Sequence, residues 1–308
     1  MAEPQKKFKA WMSAMRLRTL PLAASCVLVG SALGWNTSAQ PILILLLALF
    51  TSWLLQILSN LANDYGDHTH GADNENRVGP TRALQSGVIS KSEMFRAIII
   101  CASLTFVSGI ALLWFAMGKA GLFAEALVLL AIGVASITAA IKYTSGKNPY
   151  GYRGFGDLFV FFFFGIVGVC GSAFLHDTHF DWRWLLPASS IGLFATAVLN
   201  LNNLRDHVND RASGKKTLVV IMGFNRAKWY HLFLISTGWF CIAVLFSLQA
   251  ETKFIGWIFI PLTVMLLNIR NVFRCTQPVA LDPELKKIAL STFLFALLFF
   301  LSVGLRIF

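Results

Sequence analysis

Charge is the scarcest thing in this chain. Only 13% of its 308 residues are charged, and just 15 are acidic, while 56% are hydrophobic and the mean hydropathy is +0.65. That balance excludes a soluble domain, which would have to hide far more apolar surface than one core can hold. Histidine and cysteine are also few, at six and five. Cys26, Cys101, Cys170 and Cys241 lie inside apolar runs and Cys275 lies outside them, with no zinc spacing and no disulfide frame. Low-complexity stretches and polar segments large enough for a separate domain are missing too, so residues 1–308 read as a single membrane domain.

The apolar runs that fill the chain are about 15–23 residues long, close to the length a helix needs to cross a bilayer. Nine are predicted: Leu20 to Gly34, Pro41 to Asn63, Ala97 to Met117, Gly121 to Ile141, Leu158 to Leu175, Trp184 to Leu201, Trp229 to Gln249, Phe254 to Ile269 and Ile288 to Phe308. The expected fold is all-α, with nine transmembrane helices enclosing a central cavity and Asp-rich loops on the cytoplasmic side. A basic stretch before the first run resembles a signal peptide, but eight further runs favour an uncleaved first helix. With nine spans, 22 of the 26 Lys and Arg residues fall on one side and four on the other. By the positive-inside rule the amino terminus is cytoplasmic and the carboxyl terminus is opposite. That bias, with anionic lipid, accounts for the net charge of +11 without any nucleic acid.

Because acids are rare, their placement is informative. One cluster, Asn63-Asp64-Tyr65-Gly66-Asp67 with Asp73 beyond, closes the second run. Another, Asn200-Leu201-Asn202-Asn203-Leu204-Arg205-Asp206 with Asp210 beyond, closes the sixth. Carboxylates beside a hydrocarbon span cost several kcal/mol unless paired, wet or metal-bound. On a helix Asn63, Asp64 and Asp67 share one broad face, and Asp206 and Asp210 stand one turn apart. Carboxylate and amide oxygens without a histidine–thiolate set suit Mg²⁺. Arg77, Arg82, Arg205, Arg211, Lys215 and Lys216 surround them, and arginine forks match phosphate oxygens, so a diphosphate bridged through metal fits the mixture. Two other readings use the same residues. The acids could be solvated caps paired with the bases, or they could serve a cation-coupled transporter, although transporter carboxylates belong near mid-bilayer. His68, His70 and His207 read as loop neighbours of the carboxylates rather than ligands.

Between the fourth and fifth spans, residues 142–157 are dense in Gly, Pro and Tyr and read as an ordered cytoplasmic loop. Lys147 and Arg153 there are candidate diphosphate contacts, or equally positive-inside anchors, and Asp157 brings another carboxylate to the same face. Phenylalanine is abundant, with 27 residues, and crowds the fifth span at Phe159 and Phe161 to Phe164. Most such rings meet lipid or pack, while a few could line a cavity for an isoprenoid tail or stabilise a cation.

At these residues the chain resembles the UbiA superfamily of intramembrane aromatic prenyltransferases, over nearly its whole length. The family's Asn-x-x-x-Asp pattern is met by Asn63 and Asp67, and its Asp-x-x-x-Asp by Asp206 and Asp210. Motif one lies near 63–82 and motif two near 202–217. Where many members carry a further Asp, this chain has Gly71, and the next acid is Asp73. That pattern, with Arg77, Gly79-Pro80 and Arg82, is similar to the 1,4-dihydroxy-2-naphthoate polyprenyltransferase branch of menaquinone biosynthesis. Gln85-Ser86-Gly87, Gly214 to Leu218 and Tyr143-Thr144 are similar as well, while Lys147-Asn148-Pro149 departs from the branch.

The resemblance implies an enzyme of the cytoplasmic (inner) membrane. It would transfer a polyprenyl group from polyprenyl diphosphate to 1,4-dihydroxy-2-naphthoate, with decarboxylation to demethylmenaquinol. Mg²⁺ would be held by Asn63, Asp67, Asp206 and Asp210, with Asp64 and Asp73 as further ligands or supports. Arg77, Arg82, Arg205 and Lys215 would contact the diphosphate, with Tyr143, Lys147 and Arg153 as further substrate contacts. An acceptor such as 4-hydroxybenzoate would use the same site.

Overall fold

A computed structural model describes residues 3–73, 78, 82–118, 121–248 and 256–306 of the chain. All regular structure among them is helical, and nine stretches are long and apolar enough to span a membrane. The protein is a polytopic, all-α membrane protein, as its hydropathy predicts. Arg77, Gly79, Pro80, Lys119, Lys253 and Phe308 lie outside the described residues.

The first stretch, Pro4–Gly34, is broken. Helix α1 (Glu3–Met15) stops at Arg16, whose φ of 48° is left-handed, and the chain re-enters through a 3₁₀ turn, Leu17–Thr19, into α2 (Leu20–Gly34). Such a break frees backbone carbonyls. The Asn60 amide donates to Met15 O at 3.0 Å and to Thr19 Oγ1 at 3.0 Å, while Thr19 Oγ1 donates to Arg16 O at 2.9 Å. Asn60, one turn before the first acidic cluster, is therefore a cap for the break.

The second stretch is α3 (Pro41–Thr69) and the third α4 (Lys91–Met117), started by a capping box between Ser90 and Glu93. Next comes α5 (Phe123–Lys142). The fifth stretch is composite: α6 (Gly156–Val160), a π-helical segment Phe161–Cys170 and α7 (Gly171–His176). The sixth ends in α8 (Leu185–Ala212), and a short α9 (Leu218–Met222) leads into α10 (Phe224–Leu248). Helices α11 (Ile260–Arg274) and α12 (Asp282–Phe299) complete the set.

One correction concerns the acidic segments. They are the last turns of α3 and α8, not loops: α3 runs six residues past the predicted limit at Asn63, and α8 eleven past Leu201. Hydropathy marks where lipid ends, whereas a helix continues as long as its polar turns are satisfied.

Helices α2, α8 and α12 form the interior. Phe194 of α8, Phe295 of α12 and Trp239 of α10 interlock, with ring centroids 5.4 to 5.9 Å apart. Spans five and six touch where Gly165 meets Gly192: a Cβ on Gly165 would lie 2.6 Å from Ala188 O. Helices α4 and α5 are peripheral and expose Ile99, Ile100, Val107, Leu127 and Val128, the side chains lipid would cover.

Candidate active site

The polar ends of α3 and α8 meet beneath a cavity of about 590 Å³. Its apolar wall includes Phe159, Phe163, Phe164, Leu112 and Leu130, and its polar end includes Asn63, Asp67, Arg82, Asn202, Arg205 and Lys215. Phe162, by contrast, is 48% exposed. Packing therefore sorts the phenylalanine cluster, aiming some rings at the cavity.

At the first cluster Asp67 is buried, and its Oδ1 accepts a hydrogen bond from Tyr152 Oη at 2.8 Å and faces Lys215 Nζ at 3.6 Å. Lys215 also lies over the Tyr152 ring, 5.1 Å from its centroid. Burial works against the Lys215 charge, but Asp67, then Asp210 and Asp206, outweigh it and hold its pKa above the usual lysine value. Burial, then the Asp67 carboxylate, pushes the Tyr152 hydroxyl well above the ordinary tyrosine range. Tyr152 therefore stays protonated and donates to Asp67. Asp64 pairs with Arg16 and, at 3.2 Å, with Arg82 Nη1; Arg82 Nε lies 3.7 Å from Asp73.

At the second cluster Arg205 is buried and grips Asp206 with two bonds, Nε to Oδ1 at 2.9 Å and Nη2 to Oδ2 at 2.7 Å. The clusters are tied together: Asn209 Nδ2 donates to Ala72 O at 2.9 Å, and Lys215 N donates to Asp210 O at 2.8 Å. Lys215 thus sits among Asp67, Asp206 and Asp210, carboxylates from two helices far apart in sequence.

The loop after α5 closes one side. Thr144 Oγ1 donates to Ala62 O at 3.1 Å and to Asn63 Oδ1 at 3.3 Å. A Cβ on Gly66 would sit 2.5 Å from Thr144 O, so that approach requires glycine. Tyr143 lines the cavity; burial first, then Asp157, raises its hydroxyl pKa. Lys147 and Arg153 of the same loop are exposed and do not line the cavity. Of the histidines near the clusters, His70 bonds Gly66 O and Gly146 O, and His207 bonds Leu204 O.

Four site residues escaped sequence reasoning. Arg16, Tyr152 and Asp282 lie in no motif, Asn209 is not one of motif two's defining acids, and for Arg16, Tyr152, Asn209 and Asp282 the partners lie 48, 85, 137 and 77 positions away. Only their nearness to the polar helix ends pointed to them.

Among the described residues, no three Asp, Glu, His or Cys side chains converge as a ready metal site. The donors nonetheless suit a hard cation. Asn63 and Asp67 bring oxygen donors to this end of the cavity, the buried Asp206 and Asp210 carboxylates lie behind it around Lys215, and Asn209 Oδ1 is buried without a hydrogen-bond partner.

The UbiA prenyltransferase family model matches residues 23–290. The chain is 45% identical over 307 residues to the 1,4-dihydroxy-2-naphthoate octaprenyltransferase of Escherichia coli, covering 99% of this chain and 98% of that one. It is 40% identical to the Haemophilus influenzae enzyme of that name, covering 98% and 97%. Among solved structures, a UbiA homolog from Archaeoglobus fulgidus bound to DMAPP and Mg²⁺ superposes with a TM-score of 0.67 at 16% identity, over 96% of this chain and 99% of that one, a likeness of fold. Two Asp-bearing helix ends beneath an apolar cavity, in a nine-span chain so closely matched, make this protein a member of the UbiA prenyltransferase family.

Proposed function

We propose that this protein transfers a polyprenyl group from polyprenyl diphosphate to 1,4-dihydroxy-2-naphthoate with loss of CO₂, giving demethylmenaquinol. Near-full-length identity of 45% to an enzyme named for that acceptor carries the reading. The site is chemically suited to it: a mixed carboxylate and cation cluster caps a cavity whose wall is aliphatic and phenylalanine-rich. The positive-inside bias supports placing this end in the cytoplasm, in the inner membrane, with the amino terminus on the same side.

Mg²⁺, held by Asp67, Asp206, Asp210 and Asn63 with Asp64 and Asp73 in support, supplies positive charge against the donor diphosphate when bound. Arg82, Arg205 and Lys215 of the chain add fixed cations that stabilise the leaving group as charge develops on it. Arg77, next to this cluster in sequence, is assigned the same role. The allylic C–O bond breaks and pyrophosphate departs. Walls bearing Phe159, Phe163 and Phe164 keep the cavity apolar, and aromatic rings there are assigned the stabilisation of the cation. The ring carbon bearing the acceptor carboxylate attacks, a C–C bond forms, and CO₂ leaves its bonding electrons to restore the aromatic ring. Tyr143, which lines the cavity, is assigned a substrate contact there.

Mass spectrometry of the products tests this with purified protein, polyprenyl diphosphate and Mg²⁺, offering 1,4-dihydroxy-2-naphthoate or 4-hydroxybenzoate, with and without EDTA. The expected product is a prenylated, decarboxylated naphthol that disappears with EDTA. A prenylated hydroxybenzoate that keeps its carboxylate, with naphthoate untouched, would overturn the acceptor.

A further inference from the structure

The first turn of α12 carries two acids two residues apart that do different work. Glu284 is buried and structural: it accepts from Asn268 Nδ2 at 2.8 Å, Asn271 Nδ2 at 3.0 Å and Lys287 Nζ at 2.6 Å, and Asn268 in turn bonds His231. This network pins α12 to α11 and α10. Asp282 instead lines the cavity, its side chain is 42% exposed, and it accepts from Arg205 Nη1 at 2.5 Å. An acid at a helix start needs no special explanation. Its pairing with a buried arginine of α8 does.

Arg205 has more acceptors than its charge requires. Asp206 takes Nε and Nη2, Asn202 takes Nη2 at 2.8 Å, and Asp282 takes Nη1. Asp206 is 8% exposed, whereas Asp282 faces the cavity and solvent. The Asp206 and Asn202 bonds fix the guanidinium plane, so Nη1 is the edge Arg205 presents toward a bound anion. Asp282 occupies that edge.

We propose that Asp282 is a positioning residue that competes with diphosphate for Arg205 Nη1, yielding the edge when the donor binds and reclaiming it as pyrophosphate leaves. The inference rests on the diphosphate reading of the site above. Its consequence has an unusual sign: removing this carboxylate tightens anion binding, where loss of a supporting residue would weaken it. A cation already satisfied by a carboxylate also resists water, so Arg205 stays oriented between turnovers.

Isothermal titration of purified protein with pyrophosphate in Mg²⁺ tests it, alongside steady-state kinetics. Asp282→Asn and Asp282→Ala are expected to bind pyrophosphate about three- to fivefold more tightly than wild type, the scale of a partly exposed ion pair. Both KM for the donor and kcat should fall as product release slows. Glu284→Gln serves as the structural control, expected to lower thermal stability without tightening pyrophosphate. Unchanged or weaker pyrophosphate binding in both Asp282 variants, with wild type binding normally, would overturn the inference alone. If wild type bound no pyrophosphate, the diphosphate site itself would fall, and the inference with it.

Discussion

The two acidic clusters look like copies in sequence and are held in place by different means. Helix α8 is an internal pillar: 67% of the apolar stretch of its span is buried, against 17% for α3. Packing orients much of α8, and Asp206 is gripped by its neighbour Arg205, which Asp282 also holds. Helix α3 faces lipid along much of its length, so its acids are fixed by side chains arriving from elsewhere. Arg16 and Arg82 hold Asp64, Tyr152 and Lys215 hold Asp67, and Thr144 holds Asn63. A carboxylate on a buried helix can be placed by the core, whereas one on a peripheral helix requires dedicated partners.

That contrast can be broken at graded cost. Asp67→Asn and Asp206→Asn should each lower turnover by at least about 10²-fold, the cost of losing one main electrostatic stabiliser. Circular dichroism in detergent should show the fold unchanged, and near-normal rates in both would remove the metal assignment. Lys215→Ala removes the cation shared by both clusters, so kcat/KM for the donor should fall about tenfold, the scale of a charge-assisted contact. Tyr152→Phe deletes one hydrogen bond to the Asp67 carboxylate, and about a fivefold loss in kcat/KM is expected. At Asp206 the gripping partner, Arg205, is instead adjacent in the chain. Smallest in activity but visible in stability, Gly66→Ala drives a Cβ into Thr144 O and should destabilise by about 1–3 kcal/mol in thermal unfolding.

The same contrast explains what could be read from sequence. The nine spans were legible because hydrophobic length is a local property. So were Asp67, Asp206, Asp210, Arg205 and Lys215, which recur in a recognisable pattern. Helix ends were not: α3 and α8 carry their acidic residues on continued turns, because a polar helix end costs nothing once it leaves lipid. Tyr152 and Arg16 were invisible because their meaning lies in a partner 85 or 48 residues away. Lys147 and Arg153 show the converse, since a cation in a short loop has the same local sequence whether it faces the cavity or solvent. Phe162 and Phe163 are adjacent, yet one is about half exposed and the other lines the cavity, because neighbouring residues on a helix face different sides.

That two unlike clusters work as one diphosphate-binding unit is tested most directly by single-turnover prenyl transfer in the Asp67→Asn/Asp206→Asn double variant beside each single variant. Groups that act as a unit lose their effect once, so the double variant should be no more than a few-fold slower than the worse single one. Multiplied losses, with the double variant slower by the product of the two single effects, would contradict a shared site.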